Sequence, residues 1–360
     1  MQPIIATAPA LAALSTHLAR QARIGLDTEF LRERTYRAQL CLVQVAAGDE
    51  AQCVDPLALG DLAPLAQVLA AESVLKVMHA SRQDLEVLLP VAGLTRPVFD
   101  TQIAASLTGL PAQVGYAEAV RRFLGRELSK SHTRTDWSRR PLSPEQLEYA
   151  LDDVRYLQPL AARLEEELER LGRLEWLGEE LATLGDVRAL SVAPEDAWLR
   201  LKGLRPLDPA RERLARALAA WRERSALEHN RPRGWILDDA VLREIVMRVP
   251  RTLTALAAIP DMPPGLVKRR GAELLGYVER AQIPEPPPLL PGRARPDPVK
   301  AALVRKLSSI SQAVARELDI APEVLATRRD LEQLAEGRSD GALLHGWRRA
   351  VLGEQLLKAL

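Results

Sequence analysis

A strand that carries two carboxylates is the feature that most constrains this chain. Residues 22–30, ARIGLDTEF, are mostly apolar and extended in pattern, yet Asp27 and Glu29 stand within them. Side chains alternate between the faces of a strand, so both carboxylates project from one face, together with Gly25. Burying an unpaired carboxylate is costly, and neighbouring like charges raise each other's pKa. The stretch is therefore either an edge strand with solvated acids or part of a site for a hard divalent cation.

A third acid follows a later apolar run, at 74–78. That run ends at His79, and a helical pattern begins near Ser81, which places Asp84 in the first helical turn. Open α/β sheets bind ligands at this place, beyond the carboxyl ends of their strands. The alternative is a helix cap, because an acid in the first turn is stabilised by the helix dipole. We expect His79 to be structural rather than a ligand.

The fourth acid lies on a long helix predicted over 144–170, which begins with a capping-box pattern at Ser143 and Gln146. Tyr149 and Asp153 are four residues apart and so share one face of this helix. Asp152 is rotated by about 100° from Asp153 and is expected to face solvent. Without the other acids, Tyr149 would be interpreted as a core side chain and Asp153 as a solvated one.

The N-terminal region predicts an α/β domain with a mixed sheet. Apolar runs at 23–30, 39–46, 51–54, 74–78 and 97–99 predict five strands. The first three are joined by short turns and are predicted to be antiparallel, whereas the later ones follow helices and are predicted to be parallel. Beyond residue 170 the patterns indicate helices alone.

The charge is distributed unevenly along the chain. Residues 1–170 contain 18 Lys/Arg against 22 Asp/Glu, whereas 208–282 contain 14 against 10 and 293–360 contain 12 against 9. The rear segments are thus basic although the formal net charge is only +1. Such asymmetry favours a polyanionic partner, although surface charge can also be merely solvated.

The order of the acidic elements is more specific than each element alone. D-x-E on the first strand, an acid after a later strand and Y-x-x-x-D on a long helix resemble the DEDD superfamily of 3′-5′ exonucleases, and in particular the ribonuclease D family. The segments LDTEFLRERTYRAQLCLVQV, HASRQDLEVL and SHTRTDWSRRPLSPEQLEYALDDVRYL resemble its three exonuclease motifs. The sister subclass has a histidine five residues before the last aspartate, where this chain has Glu148, so the tyrosine subclass is favoured.

The resemblance covers nearly the whole chain and implies its organisation. It implies a multidomain protein: an N-terminal α/β domain of the ribonuclease H-like fold, followed by two all-α HRDC-like domains. HRDC domains are small helical modules shared with helicases. The predicted domains are an exonuclease domain at 1–170, a helical connector at 171–207, an HRDC domain at 208–282, a proline-rich linker at 283–298 and a second HRDC-like domain at 299–360.

The resemblance also implies a role for each acid. Asp27 would bridge two metal ions, Glu29 and Asp153 would hold the ion that activates the attacking water, and Asp84 would support the other ion through water. Four carboxylates balance two divalent cations, for which Mg²⁺ is suited and Mn²⁺ is expected to substitute. Tyr149 would orient the water rather than abstract its proton, because the reference pKa of tyrosine is about 10.

The substrate-facing residues are predicted to be Arg32, Lys130, Arg134 and Trp137, the last three within a basic loop that also contains Arg140. Basic side chains interleaved with an aromatic one suit a single-stranded backbone with stacked bases. A flexible, solvated loop is the alternative. The expected partners are RNA with a single-stranded 3′ end and tRNA precursors.

The leading hypothesis is a metal-dependent 3′-5′ exoribonuclease that releases nucleoside 5′-monophosphates and processes small structured RNAs. The chain contains no apolar run of transmembrane length and only two cysteines, so we expect a cytoplasmic protein. We also expect a monomer. The alternatives are a proofreading-type DNA exonuclease, a catalytically inactive RNA-binding scaffold and a helicase accessory subunit. An inactive scaffold would be expected to have lost an acid, and the chain has no P-loop.

Overall fold

The computed structural model describes residues 4–128, 135–185, 193–204, 207–283, 298–339 and 341–360. They form two compact units. The first comprises the described residues within 1–31, 39–190 and 297–360, and the second those within 32–38 and 191–296. Within the described residues, no helix combines the length and the apolar character needed to cross a bilayer.

A five-stranded mixed sheet frames the first unit, with the strand order β3-β2-β1-β4-β5. The strands are β1 (Arg23–Leu31), β2 (Gln39–Ala47), β3 (Glu50–Val54), β4 (Leu75–Met78) and β5 (Val98–Asp100). The pairs β1–β2 and β2–β3 are antiparallel, whereas β1–β4 and β4–β5 are parallel, which confirms the predicted mixed sheet. β1 lies inside the sheet, because it pairs with β2 over residues 25–31 and with β4 over residues 23–25, so the interpretation of β1 as an edge strand is wrong.

Eight helices precede residue 183 in the described part of this unit. They are α1 (Ala8–Leu18), α2 (Ala63–Ala70), α3 (Arg82–Ala92), α4 (Thr101–Leu107), α5 (Tyr116–Leu124), α6 (Pro144–Arg155), α7 (Leu157–Arg170) and α8 (Leu174–Ala182). Ser143 and Gln146 form the predicted capping box at the start of α6. The buried face of α7 is made by residues three or four positions apart: Leu157, Leu160, Ala161, Leu164 and Leu168.

The sequence pattern predicted one long helix over 144–170, but the structure divides it at Tyr156. Pro159 has no backbone N–H, so it cannot bond to the carbonyl of Arg155 and continue the α6 hydrogen-bond ladder. Both helices pack against the sheet: α6 contacts β1, β2 and β3, and α7 contacts β1 and β4.

The described residues of the second unit form helices and connecting loops, with no strand among them. Its helices are α9 (Pro209–Glu228), α10 (Arg233–Ile236), α11 (Asp239–Arg248), α12 (Leu253–Ala257) and α13 (Pro264–Ala281). Asp208 caps α9 by accepting a hydrogen bond from the Arg211 backbone N–H. Trp221 of α9 donates through Nε1 to Glu273 of α13 at 2.8 Å, which ties the first helix of the unit to the last.

The C-terminal helices belong to the first unit. They are α14 (Pro298–Glu317), α15 (Pro322–Leu325), α16 (Arg328–Ala335) and a final run of Gly346–Arg348, Arg349–Gly353 and Glu354–Leu357. Trp347 stacks on Trp176 of α8, with ring centroids 4.5 Å apart and planes 9° apart. Arg173 donates to the carbonyls of Leu107 at 2.7 Å and Leu318 at 2.5 Å. The HRDC-like character of 299–360 stays a prediction, but these residues pack on the exonuclease unit.

Candidate active site

Three of the predicted acids converge at the end of β1. One carboxylate oxygen from each of Asp27, Glu29 and Asp153 lies within 4.8 Å of the other two. All three residues are partly buried. The strand supplies two carboxylates from one face, as its alternation requires, and α6 supplies the third. This close group of oxygens is the kind of arrangement that can hold a metal ion.

Gly25 explains how α6 comes so close to the strand. A Cβ atom at this position would lie 2.9 Å from the Val154 carbonyl oxygen and 3.2 Å from the Ala46 Cβ. Contacts below 3.0 Å are essentially never seen for a real Cβ. The missing side chain therefore lets the backbone of α6 rest on β1, and Asp153 is the residue immediately before Val154.

Asp84 stands beside this group rather than within it. Its Oδ1 accepts a hydrogen bond from Thr28 Oγ1 at 2.5 Å, and the residue is buried. Its charge nevertheless contributes more than any other neighbouring charge to the raised pKa of Asp27. The structure thus places three predicted ligands together. The fourth, Asp84, lies at the edge of the cluster and is held by Thr28, which stands between Asp27 and Glu29 in the chain.

The acids of the cluster are hard to ionise together. Burial raises the pKa of Asp27 well above its usual value, and Asp84, Asp153 and Glu29 raise it further. Burial, followed by Asp153, raises the pKa of Glu29 to about 8, and burial raises that of Asp153 to about 7 and that of Asp84 to about 6. An all-oxygen donor set with uncompensated negative charge fits a hard divalent cation.

Tyr149 lies on the same face of α6 as Asp153 and hydrogen-bonds to its carboxylate. Burial and the neighbouring carboxylates, Asp153 first, raise the pKa of the Tyr149 hydroxyl well above 10. The phenol therefore stays protonated at neutral pH. It can donate a hydrogen bond, but it is a poor proton acceptor, in agreement with the expected positioning role.

Trp137 does not have the exposure that base stacking requires. It is 3% exposed, and its ring stacks on Tyr149 with centroids 6.2 Å apart. A buried ring has no free face for a base, so the structure contradicts its prediction as a substrate platform. Trp137 instead supports the ring of the candidate catalytic tyrosine.

Arg140 also differs from its predicted place in a substrate loop. Its guanidinium bonds to both carboxylate oxygens of Asp55 at 2.6 and 2.7 Å, and to the carbonyls of Trp137 and Cys41. A bidentate arginine with every direction occupied is a structural clamp. Arg32 is exposed and falls in the second unit. Lys130 and Arg134 lie outside the described residues.

His79 and Asp152 behave as expected. The ring nitrogens of His79 lie 2.8 Å from Thr101 Oγ1 and 2.9 Å from the Val114 carbonyl oxygen, and burial lowers its pKa. It is a neutral structural side chain. Asp152 is directed away from the cluster and forms an ion pair with Arg155.

Two residues near the site were missed by the sequence reasoning. Tyr116 accepts a hydrogen bond from the Tyr156 backbone N–H at 3.2 Å and so fixes the junction between α6 and α7. Gln44 is the cross-strand neighbour of Asp27; it is fully buried, and neither amide atom has a partner among the described residues. The sequence does contain a signal for Gln44, which is the lone amide side chain within the apolar run LCLVQVA. It contains no signal for Tyr116, because the hydrogen-bond partners of Tyr116 are distant in sequence.

The comparisons with known proteins agree with this geometry. The family model for a 3′-5′ exonuclease matches residues 3–169, and the HRDC domain model matches residues 211–278. Ribonuclease D of Gluconacetobacter diazotrophicus is 42% identical over 98% of this chain and 91% of its own, and that of Jannaschia sp. is 42% identical over 100% and 95%. The crystal structure of Escherichia coli RNase D has a TM-score of 0.90 and 34% identity, covering 100% of this chain and 98% of that one.

Proposed function

The chain belongs to the ribonuclease D family of divalent-metal-dependent 3′-5′ exoribonucleases, and from this premise we propose its mechanism, products and substrates. It hydrolyses RNA from the 3′ end with two bound divalent cations and releases nucleoside 5′-monophosphates. Its substrates are tRNA precursors and other small structured RNAs with a single-stranded 3′ end. It acts as a cytoplasmic monomer.

The observation that carries the proposal is the convergence of Asp27, Glu29 and Asp153 within 4.8 Å, with Asp84 beside them. Three acids from a strand and a helix, each with a raised pKa, destabilise the fold unless positive charge offsets them. Proteins retain such costly groups where function requires them. A catalytically inactive scaffold would not require this arrangement.

The cluster residues would hold the cations as the family pattern implies. When bound, two divalent cations lower the pKa of a water nucleophile and stabilise charge on the attacking and leaving oxygens. Mg²⁺ is the proposed ion, with Mn²⁺ as a substitute, because the ligands are all oxygens. Asp27 would help to hold both cations, Glu29 and Asp153 would help to hold the one that activates the water, and Asp84 would support the other through water.

The uncharged groups of the site would position the reactants. Tyr149 remains protonated, so its hydroxyl would orient the attacking water by hydrogen bonding and would not remove its proton. The stacked ring of Trp137 restricts the rotation of Tyr149. Thr28 fixes Asp84 through its hydroxyl. These contacts would hold the reacting groups in place before RNA binds, which is where enzymes gain much of their rate.

One experiment tests activity, polarity, sugar preference and metal together. The full chain is incubated with RNA and DNA of one sequence, labelled at the 3′ or the 5′ end, in Mg²⁺, Mn²⁺ or EDTA. The expected result is immediate release of labelled 5′-mononucleotide from 3′-labelled RNA and a shortening ladder from 5′-labelled RNA, with neither in EDTA. Asp27→Asn is the matched control for contaminating nuclease. Internal cleavage, or activity that persists in EDTA, would refute the proposal.

A further inference from the structure

An exposed tryptophan marks the second unit. Trp235 on α10 is 63% exposed, whereas Trp198 and Trp221 of the same unit are 7% and 4% exposed. Its backbone N–H donates to the Pro232 carbonyl at 2.9 Å, so a tight turn holds the residue outward. A large indole in water forgoes the hydrophobic stabilisation that its burial would give.

The loop 32–38 lies against this turn within the same unit. Tyr36 donates its hydroxyl hydrogen to the buried Glu223 carboxylate, and the Arg37 backbone N–H donates to Asn230 Oδ1 at 3.0 Å. The Arg233 guanidinium lies 5.6 Å from the centroid of the Tyr36 ring and 3.6 Å from the Glu223 carboxylate. Two contacts thus join loop and turn directly, and both segments also bind Glu223 of α9. We call residues 32–38 and 230–236 together the Trp235 surface.

The Trp235 surface is strongly basic. Its two segments, RERTYRA and NRPRGWI, contain five arginines and one glutamate. Arg233 is balanced by the buried Glu223, but Arg34, Arg37 and Arg231 are exposed and form no ion pair with a described carboxylate. Many other arginines in the described part of the chain do form such pairs. Two adjoining segments that carry unbalanced guanidinium groups and an exposed aromatic ring suit a polyanion whose units are flat and apolar.

We propose that the Trp235 surface binds single-stranded RNA. Trp235 stacks on a base, and Arg34, Arg37 and Arg231 contact the phosphates on either side. Stacking accepts any base, and phosphate contacts carry no sequence information, so the surface holds RNA without sequence preference. This inference rests on the proposed exoribonuclease function and adds to it a second place where the substrate is held.

Binding of a labelled, unstructured RNA to the full chain tests the role of Trp235. All proteins carry Asp27→Asn so that the RNA stays intact, and binding is followed by fluorescence anisotropy. Trp235→Ala is expected to weaken binding about tenfold, and Trp235→Phe to restore most of the loss, because one stacked base contributes roughly 1–3 kcal/mol. Met247→Ala is the matched control, since Met247 is a 44% exposed apolar residue of the same unit. Its binding is expected to equal that of the parent.

The salt dependence of binding tests the arginines separately. Replacing Arg34, Arg37 and Arg231 together by Ala should reduce the slope of log K against log salt by about 2, because each phosphate contact on a single strand contributes about 0.7. The control replaces Arg121, Arg163 and Arg170 of the first unit, each paired with a glutamate, and should leave the slope unchanged.

The two proposals fail in different ways. Unchanged binding in Trp235→Ala, or an equal loss in Met247→Ala, would overturn the RNA surface even if the wild-type chain degrades RNA. Absence of RNA hydrolysis by the wild-type chain would overturn the proposed function, while a specific loss of binding in Trp235→Ala would still support the surface. Retained thermal stability of each variant shows that the fold is intact.

Discussion

Gly25→Ala is expected to damage the site without touching a single catalytic group. The added Cβ would lie 2.9 Å from the Val154 carbonyl oxygen, which is a backbone atom and cannot rotate away. Ordinary van der Waals contact between heavy atoms begins near 3.5 Å, so α6 or β1 would have to shift by about 0.5 Å. Asp153 precedes Val154 and would move with it.

The magnitude follows from the size of this displacement. Overpacking of one methyl group in a close-packed core costs roughly 1–3 kcal/mol. Removing a glycine from the unfolded chain returns about 0.4–1 kcal/mol. We therefore expect a net loss of about 1–2 kcal/mol in the free energy of unfolding. A misplacement of 1 Å at a reacting group can cost about 100-fold in rate, so a shift near 0.5 Å should lower kcat about tenfold.

Urea denaturation and single-turnover hydrolysis of 3′-labelled RNA measure the two effects. Gly178→Ala is the matched control, because Gly178 lies within α8 and has no heavy atom within 4 Å of its would-be Cβ. That control should retain its activity and should be as stable as the parent or up to about 1 kcal/mol more stable. If Gly25→Ala matches the wild-type chain in both denaturation midpoint and kcat, then close packing of α6 on β1 does not position Asp153.

Three further predictions follow from single side chains. Asp27→Asn should abolish hydrolysis yet raise the melting temperature of the metal-free protein, because the raised pKa of Asp27 reflects unfavourable burial and repulsion. Calorimetry in EDTA measures the melting temperature, and a value below that of the wild-type chain would contradict the prediction. Tyr149→Phe should lower kcat by up to about 100-fold while RNA affinity stays within about twofold. Quench-flow measures kcat and fluorescence anisotropy measures the affinity; equal losses in both would argue against water positioning. Burial lowers the pKa of Lys76 from 10.5 in the unfolded chain to about 8 in the folded one. Between about pH 8 and pH 10.5 the unfolded chain therefore binds more protons than the folded chain, so the free energy of unfolding should rise with pH over this range. Urea titrations of Lys76→Met should lack that contribution, and identical pH profiles for the two proteins would refute it.

The sequence predicted the residues of the cluster because each belongs to a local pattern. Alternation along one strand placed Asp27 and Glu29 on a common face, and the helical repeat placed Tyr149 beside Asp153. Short turns and helical crossovers indicated which strands would be antiparallel and which parallel. These inferences needed only neighbours in the chain.

The sequence could not predict contacts between distant segments. Nothing near Trp137 indicates that its ring would be buried against Tyr149, and nothing near Arg140 indicates Asp55 as its partner. Both residues matched the pattern of a basic, aromatic nucleic-acid loop, and tertiary packing used them otherwise. The placement of 299–360 on α8 likewise depends on the Trp176–Trp347 stack, which joins residues far apart in the chain.

The inclusion of the C-terminal helices in the first unit has a consequence for synthesis on the ribosome. The strands and the acids precede the main segment of the second unit in the chain, whereas Trp347 and Arg348, which bind Glu179 and Glu180 of α8, follow that segment. Domains usually fold as units as they emerge. The second unit can therefore complete its own core while α8 still lacks its partners from residues 298–360. The first unit would then be completed only after the second unit has been synthesised.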